Sequence, residues 1–147
     1  MRYSDFEVIR KVGEGNFTEI YQVEHGGKMY AMKVCQMAKV KNLRKETDIL
    51  MEKHALNKLY DTYKQAGLPC VKLVGTFKDS ENLYFLMELL PQSKELWNFC
   101  RNFGLLSDFE CRRTFKAICE AVAKVHFEGC YFRRDIGDKG IARSKED

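Results

Sequence analysis

A chain of 147 residues has the size of about one domain, and with 45% hydrophobic and 31% charged residues it suits a globular fold with a sizeable core. Two prolines and no Ser/Gly tract argue against a disordered chain, and a net charge of +4, with acids interleaved among the Lys and Arg, argues against a nucleic-acid surface. The six cysteines form no C-x-x-C pair and no His pair has zinc-ligand spacing, so no metal site is expected, and free thiols in a reducing cytoplasm or nucleus are.

The opening "MRYSDFEVIR" lacks the basic-then-apolar pattern of a signal peptide. "FEVIRKV" (6–12) then alternates apolar and polar, the period of a half-buried strand. Glycines 13 and 15 follow, and "EIYQVEH" (19–25) alternates again up to "GGK" (26–28), a hairpin turn signal. "MYAMKVC" (29–35) makes a third strand. From Lys41 to Leu59 the period becomes helical, with Leu43, Ile49, Leu50, Leu56 and Leu59 on one broad face. "GLP" (67–69) ends that region, and "CVKLVGTF" and "LYFLMEL" read as two strands around the turn "KDSEN", closed by Pro91. The stretch "LYFLMELL" carries Glu88 and is too short to span a bilayer.

"KELWNFCRNFG" (94–104) reads as a short helix stopped by Gly104. In the next helix Ser107 and Glu110 stand at capping-box spacing; Phe115, Ile118, Cys119, Val122 and Val125 step along one side, and Gly129 can end it. Three strands, a helix, two strands and then helices give an α+β class, with a five-stranded antiparallel sheet and one main helix in its first part.

"VGEGNFTEIYQV" (12–23) is the stretch that points to chemistry. It lacks the Gly-Lys-Ser/Thr of a P-loop, and the strand that follows its glycines excludes a dinucleotide fingerprint, and with it an NAD-linked oxidoreductase. A hairpin whose glycines let backbone amides lie over phosphates fits Gly13, Gly15, Thr18 and Ile20, with Thr18 in place of a third glycine. Taken alone, the stretch is equally a plain β-turn. Ala31 and Lys33 in "YAMK" and Glu52 in the next helix add weight: a small residue can roof an adenine, an ammonium can reach phosphates, and a glutamate can aim the ammonium. Alone, Lys33 reads more readily as a surface lysine and Glu52 as a solvated helix glutamate; their order after the glycines favours the functional reading.

Over residues 5 to about 135, "GEGNFTEIY", "YAMKV", "EKHALNKL", "VKLVGTFKDSENLYFLMELL" and "SDFECRRTFKAICEAVAKVHFEG" resemble, in order, the eukaryotic protein kinases. "VKLVGTFKDSENLYF" and "KELWNFCRNFGLLSDFECRRTF" look most like phosphoinositide-dependent protein kinase, in the group with protein kinases A, B and C. The resemblance implies a small lobe over 1–90, the hinge and first helices of an incomplete large lobe over 91–135, and a divergent polar tail over 136–147. It implies ATP with Mg2+ as cofactor. Gly13 and Gly15 would cover the phosphates, Val12, Ile20 and Ala31 would pack on the adenine, and Lys33 would pair with the phosphates and with Glu52. Met87 would be the gatekeeper, and the backbone of Glu88, Leu89 and Leu90 the hinge.

The pattern breaks at "HFEGCYFRRDIGDKGIA". Arg134 and Asp135 match the catalytic Arg-Asp pair, with Arg133 where histidine is usual and Asp135 as the residue that orients the acceptor hydroxyl. Gly137, Asp138 and Gly140 stand where the resemblance implies lysine, proline and a magnesium-holding asparagine, and no Asp-Phe-Gly follows. The expectation is a truncated serine/threonine kinase with weak or no turnover, acting on protein substrates or other kinases. Its alternative is a non-catalytic, pseudokinase-like or regulatory module. Either way the helix over 108–128 is expected to leave an apolar face open to a partner.

Overall fold

The computed structural model describes residues 1–67, 70–90 and 96–130. The chain divides in sequence into two units, Met1–Leu90 and Pro91–Asp147. The first holds strands β1 (Glu7–Glu14), β2 (Thr18–His25) and β3 (Lys28–Gln36), helices α1 (Met37–Asn42) and α2 (Glu46–Tyr63), and strands β4 (Leu73–Lys78) and β5 (Asn82–Glu88). The strands form one antiparallel sheet in the order β1-β2-β3-β5-β4. Strand β5, the last of the five in sequence, lies between β3 and β4.

Side chains alternate across a strand, and the core divides accordingly. Phe6, Val23, Met32, Val34, Tyr84 and Leu86 cluster on one face; Cys35, Phe85 and Met87 cluster on the other with Leu73, with Val40 of α1 and with Ile49 of α2. Val23, Met32, Phe85 and Leu86 are among the largest fully buried side chains, and burying each stabilises the fold by roughly 1.5–3 kcal/mol. These four come from β2, β3 and β5, so the centre of the sheet carries the core. Strand β1 differs from its expected half-burial: Val8, Ile9 and Val12 stay exposed because β1 is the sheet's edge. Only Phe6, just before it, is buried, against Phe77 in a ring stack that continues to Tyr84 and Tyr3.

Glycine does its expected work in the β2–β3 hairpin. His25 pairs with Lys28, and both Gly26 (φ +59°) and Gly27 (φ +74°) take the left-handed conformation that a two-residue turn with the strand's own twist requires.

The helix expected over 41–59 is instead two helices. Helix α1 ends at Leu43, and Arg44 takes φ +53° while the Lys45 N–H bonds the Val40 carbonyl at 2.9 Å. That is a Schellman ending with arginine where glycine is usual, so composition gave no sign of it. The turn re-aims the chain: α2 buries Ile49 and Leu59, while Leu43 and Leu50, expected on the same apolar face, are exposed.

The second unit contains helices α3 (Leu96–Phe103) and α4 (Asp108–Phe127). Gly104 (φ +92°) stops α3. The capping box opens α4, with the Glu110 N–H on Ser107 Oγ at 3.2 Å and the Ser107 N–H on Glu110 Oε2 at 2.9 Å. Gly129 (φ +71°) ends it in the manner of Arg44, with the Cys130 N–H on the Val125 carbonyl at 3.1 Å. Val125 is buried and Ile118 and Val122 half-buried, but Phe115 and Cys119 of the expected stripe are exposed, as are Phe109 and Phe127. Arg134, Asp135 and the polar stretch 136–147 lie outside the described residues, as do Pro69 and Pro91.

Candidate functional site

The sheet register brings the separate sequence features into rows. Gly13 pairs with Ile20, Ile20 with Lys33, and Lys33 with Phe85, one row across β1, β2, β3 and β5. Two residues along each strand, and therefore on the same face, Gln22 pairs with Ala31 and Ala31 with Met87. Ala31 is half-buried and Met87 buried. This face, which α2 also flanks, presents an apolar strip of Ile20, Ala31 and Met87 beside a lysine.

Lys33 is the site's charge. Its Nζ lies 2.6 Å from Glu52 Oε1 and 2.7 Å from Oε2, so helix α2 grips the ammonium with both carboxylate oxygens. The Lys33 side chain is only 18% exposed, Glu52 39%. An ammonium has three N–H donors; the fork takes two and fixes where the remaining one and the charge act. The same Nζ stands 5.9 Å from the centre of the buried Phe85 ring. Cys35, two residues on, is buried, and burial pushes its thiol up to about 11 against the opposing pull of Lys33. It is a packed thiol whose burial disfavours the thiolate.

The glycine stretch is a tight hairpin. The Gly15 N–H donates to the Thr18 carbonyl at 2.7 Å, and a Cβ on Gly15 would meet Thr18 Oγ1 at 2.9 Å, closer than a side chain tolerates without the hydroxyl turning away. Gly13 has more room, the nearest atoms being those of Ile20 at 3.8 Å. The register slips by one residue between Lys11 and Gly13, making Val12 the extra residue of a bulge. Val12 is exposed.

At the far end of β5, Glu88 is braced rather than free. Its carboxylate accepts the Lys72 N–H at 2.7 Å and its own N–H donates to the Lys72 carbonyl at 3.0 Å, while the Lys72 ammonium sits 4.7 Å over the ring of Tyr60 in α2. Leu89 is half-buried and Leu90 51% exposed. Asp135 lies outside the described residues, so its placement relative to this face is not among the site's geometry.

Two residues escape a reading of the sequence alone. Phe17, in an otherwise polar loop, packs against the helix-side core, and its carbonyl accepts the Gln36 N–H at 3.0 Å, tethering the hairpin tip to the end of β3. An aromatic between a glycine and a strand is its only sequence signal. Lys11 reaches Glu14 and Glu19 across the hairpin neck, and nothing in the sequence separates it from a solvated lysine. Together the face offers a buried-edge cation, an apolar strip fit for a flat ring and a glycine hairpin beside both. Chemically, that combination suits a flat apolar ring with an anionic group beside it.

Comparison with known proteins bears on this geometry. The family model described as "Protein kinase domain" matches residues 6–142. Serine/threonine-protein kinase PKH3 of Eremothecium gossypii is 30% identical over 145 residues, which are 97% of this chain and 19% of that protein. Serine/threonine-protein kinase PKH1 of Saccharomyces cerevisiae is 31% identical over 147 residues, 99% of this chain and 18% of that protein. A cAMP-dependent protein kinase, catalytic subunit-like, of Caenorhabditis briggsae is 29% identical over 145 residues, 97% of this chain and 36% of that protein. The chain thus spans less than a fifth of the length of the two PKH relatives.

Proposed function

The chain belongs to the protein kinase family, and we propose that it forms the ATP-holding part of a protein serine/threonine kinase. The observation that carries this reading is the fork between Lys33 and Glu52, on the sheet face that also holds Ile20, Ala31 and Met87. In this reading the adenine lies along Ile20, Ala31 and Met87 with Val12 at its rim. The backbone of Glu88, Leu89 and Leu90 bonds its edge, and the phosphates lie under Gly13, Gly15 and Thr18 toward Lys33. Mg2+ is expected to travel with the phosphates; among the described residues no cluster of three His, Cys, Asp or Glu side chains could hold it.

In the whole protein the reaction is transfer of the ATP γ-phosphoryl group to a protein hydroxyl, with Asp135 orienting the acceptor. Proteins, other kinases among them, are the substrates, and the cytoplasm or nucleus is the place. Charge building on the transferred group is the main barrier to stabilise. With the metal-holding asparagine position occupied by Gly140, turnover by this chain by itself is expected to be weak.

The exposed Phe109, Phe115 and Phe127 on α4 favour a second reading, a non-catalytic module that binds a protein partner. A defined complex formed by the chain without nucleotide supports that reading.

The test is calorimetric titration of the chain with MgATP. A hydrogen bond to a charged group is worth about 1.5–3 kcal/mol, so Lys33→Met should weaken binding roughly ten- to a hundredfold with its circular dichroism unchanged. If Lys33→Met binds MgATP as well as the wild type, the reading is wrong.

A further inference from the structure

The glycine hairpin has an electrostatic fault at its neck, and one residue repairs it. Glu14 and Glu19 are the last registered pair before the turn, two carboxylates directly opposite one another on adjacent strands, an arrangement that pushes strands apart. Lys11 Nζ lies 2.5 Å from Glu14 Oε2 and 2.8 Å from Glu19 Oε1, so a single cation spans both strands. Glu19's second oxygen accepts the Tyr21 hydroxyl at 3.0 Å, which fixes the carboxylate that Lys11 grips. The pairing holds the Lys11 ammonium well above the usual lysine range, Glu14 being the larger cause and Glu19 the next, and holds the Glu19 carboxyl below its own.

Strand alternation places Glu19 and Tyr21 on the face opposite Ile20, and Ile20 is the neighbour of Lys33. Lys11 therefore stands behind the hairpin and can reach the nucleotide only through it.

We propose that Lys11 is a positioning residue: it clamps the neck of the glycine hairpin shut against the Glu14–Glu19 repulsion, and so sets the loop that covers the phosphates. The proposal rests on the nucleotide reading above. Since the clamp acts on the part of the site that faces phosphates, removing it should matter more as phosphates are added to the ligand. The apolar strip of Ile20, Ala31 and Met87, which takes the ring, does not depend on it.

The experiment titrates the full chain, as wild type, Lys11→Met, Lys11→Arg and Lys33→Met, with adenosine and with MgATP. Amide hydrogen exchange of residues 14–18 is followed without ligand. An exposed ion pair is a modest interaction, so Lys11→Met should weaken MgATP about three- to tenfold, change adenosine less than about twofold, and speed exchange in the hairpin. Lys11→Arg should restore most of both, and raised salt should erase the difference between wild type and Lys11→Met. Unchanged hairpin exchange in Lys11→Met, or equal losses for adenosine and MgATP, overturns the proposal. If instead Lys33→Met and wild type bind MgATP alike, it is the nucleotide reading that fails. The exchange rates then still decide whether Lys11 holds the hairpin.

Discussion

Arg44 shows how one side chain can carry a conformational cost that sequence does not advertise. At φ +53° it sits where a Cβ crowds the following carbonyl, at about 1–2 kcal/mol for an L-residue. Glycine escapes that crowding but loses roughly 0.4–1 kcal/mol through its freer unfolded chain. The crowding is the larger effect, so Arg44→Gly should raise stability by about 0.5–1 kcal/mol, while Arg44→Ala, which keeps the Cβ, should not. Urea unfolding midpoints at constant slope check this, and a fall in midpoint for Arg44→Gly would contradict it. At the same scale, Lys33 and Glu52 were legible as candidates from residue type and order. Lys11 was not, because what separates it from other surface lysines is the pair of carboxylates that strand pairing puts around it.

Among the elements, the β4–β5 hairpin is organised by one carboxylate. Asp79 Oδ1 accepts the N–H groups of Glu81 (2.8 Å) and Asn82 (2.7 Å), and Oδ2 accepts the Tyr84 hydroxyl at 2.6 Å. Tyr84 first, and then those two amides, hold the Asp79 carboxyl below the usual range. Burial, with Asp79 behind it, pushes the Tyr84 hydroxyl up to about 12. A depressed carboxyl contributes stability that is whole above its unfolded value, near pH 4, and is lost as pH falls through the folded one. A raised phenol contributes stability that is whole below about 10 and is lost as pH rises toward about 12. The stability gap between wild type and Asp79→Asn should therefore be flat across neutral pH and close below about pH 4. Chemical denaturation at a series of pH values measures it, and a gap that persists at low pH rules out the carboxylate as the organiser. The motif "KDSEN" announced a turn; the bond to Tyr84 depends on β5 folding back beside β4.

For the first unit as a whole, Phe85 joins stability to function. It is fully buried among Cys35, Val40, Ile49 and Met87, beneath the helix side of the sheet, and its strand partner is Lys33. Removing a buried aromatic ring costs about 3–5 kcal/mol, a large part of the roughly 5–15 kcal/mol that holds a domain folded. Phe85→Ala should lower the unfolding free energy by about that amount and weaken MgATP binding as well, since the ring lies under the lysine. Calorimetry with urea unfolding tests both, and a loss below about 1 kcal/mol would mean that the helix-side cluster around Phe85 is not a core on which the unit depends.

By itself the sequence determined the order of strands and helices, the β2–β3 turn, the capped start and glycine end of α4, and the set of residues from which a nucleotide site could be made. Those features depend on side-chain period and on local backbone preference, which neighbouring residues express wherever the chain goes. Tertiary structure alone decided that β5 lies between β3 and β4, that Gly13, Ile20, Lys33 and Phe85 share one row, that α1 and α2 part at Arg44, and that a lysine closes the hairpin neck. Each of these depends on contacts between residues distant in sequence, or on a backbone angle that packing imposes against local preference, and neither leaves a mark in local composition.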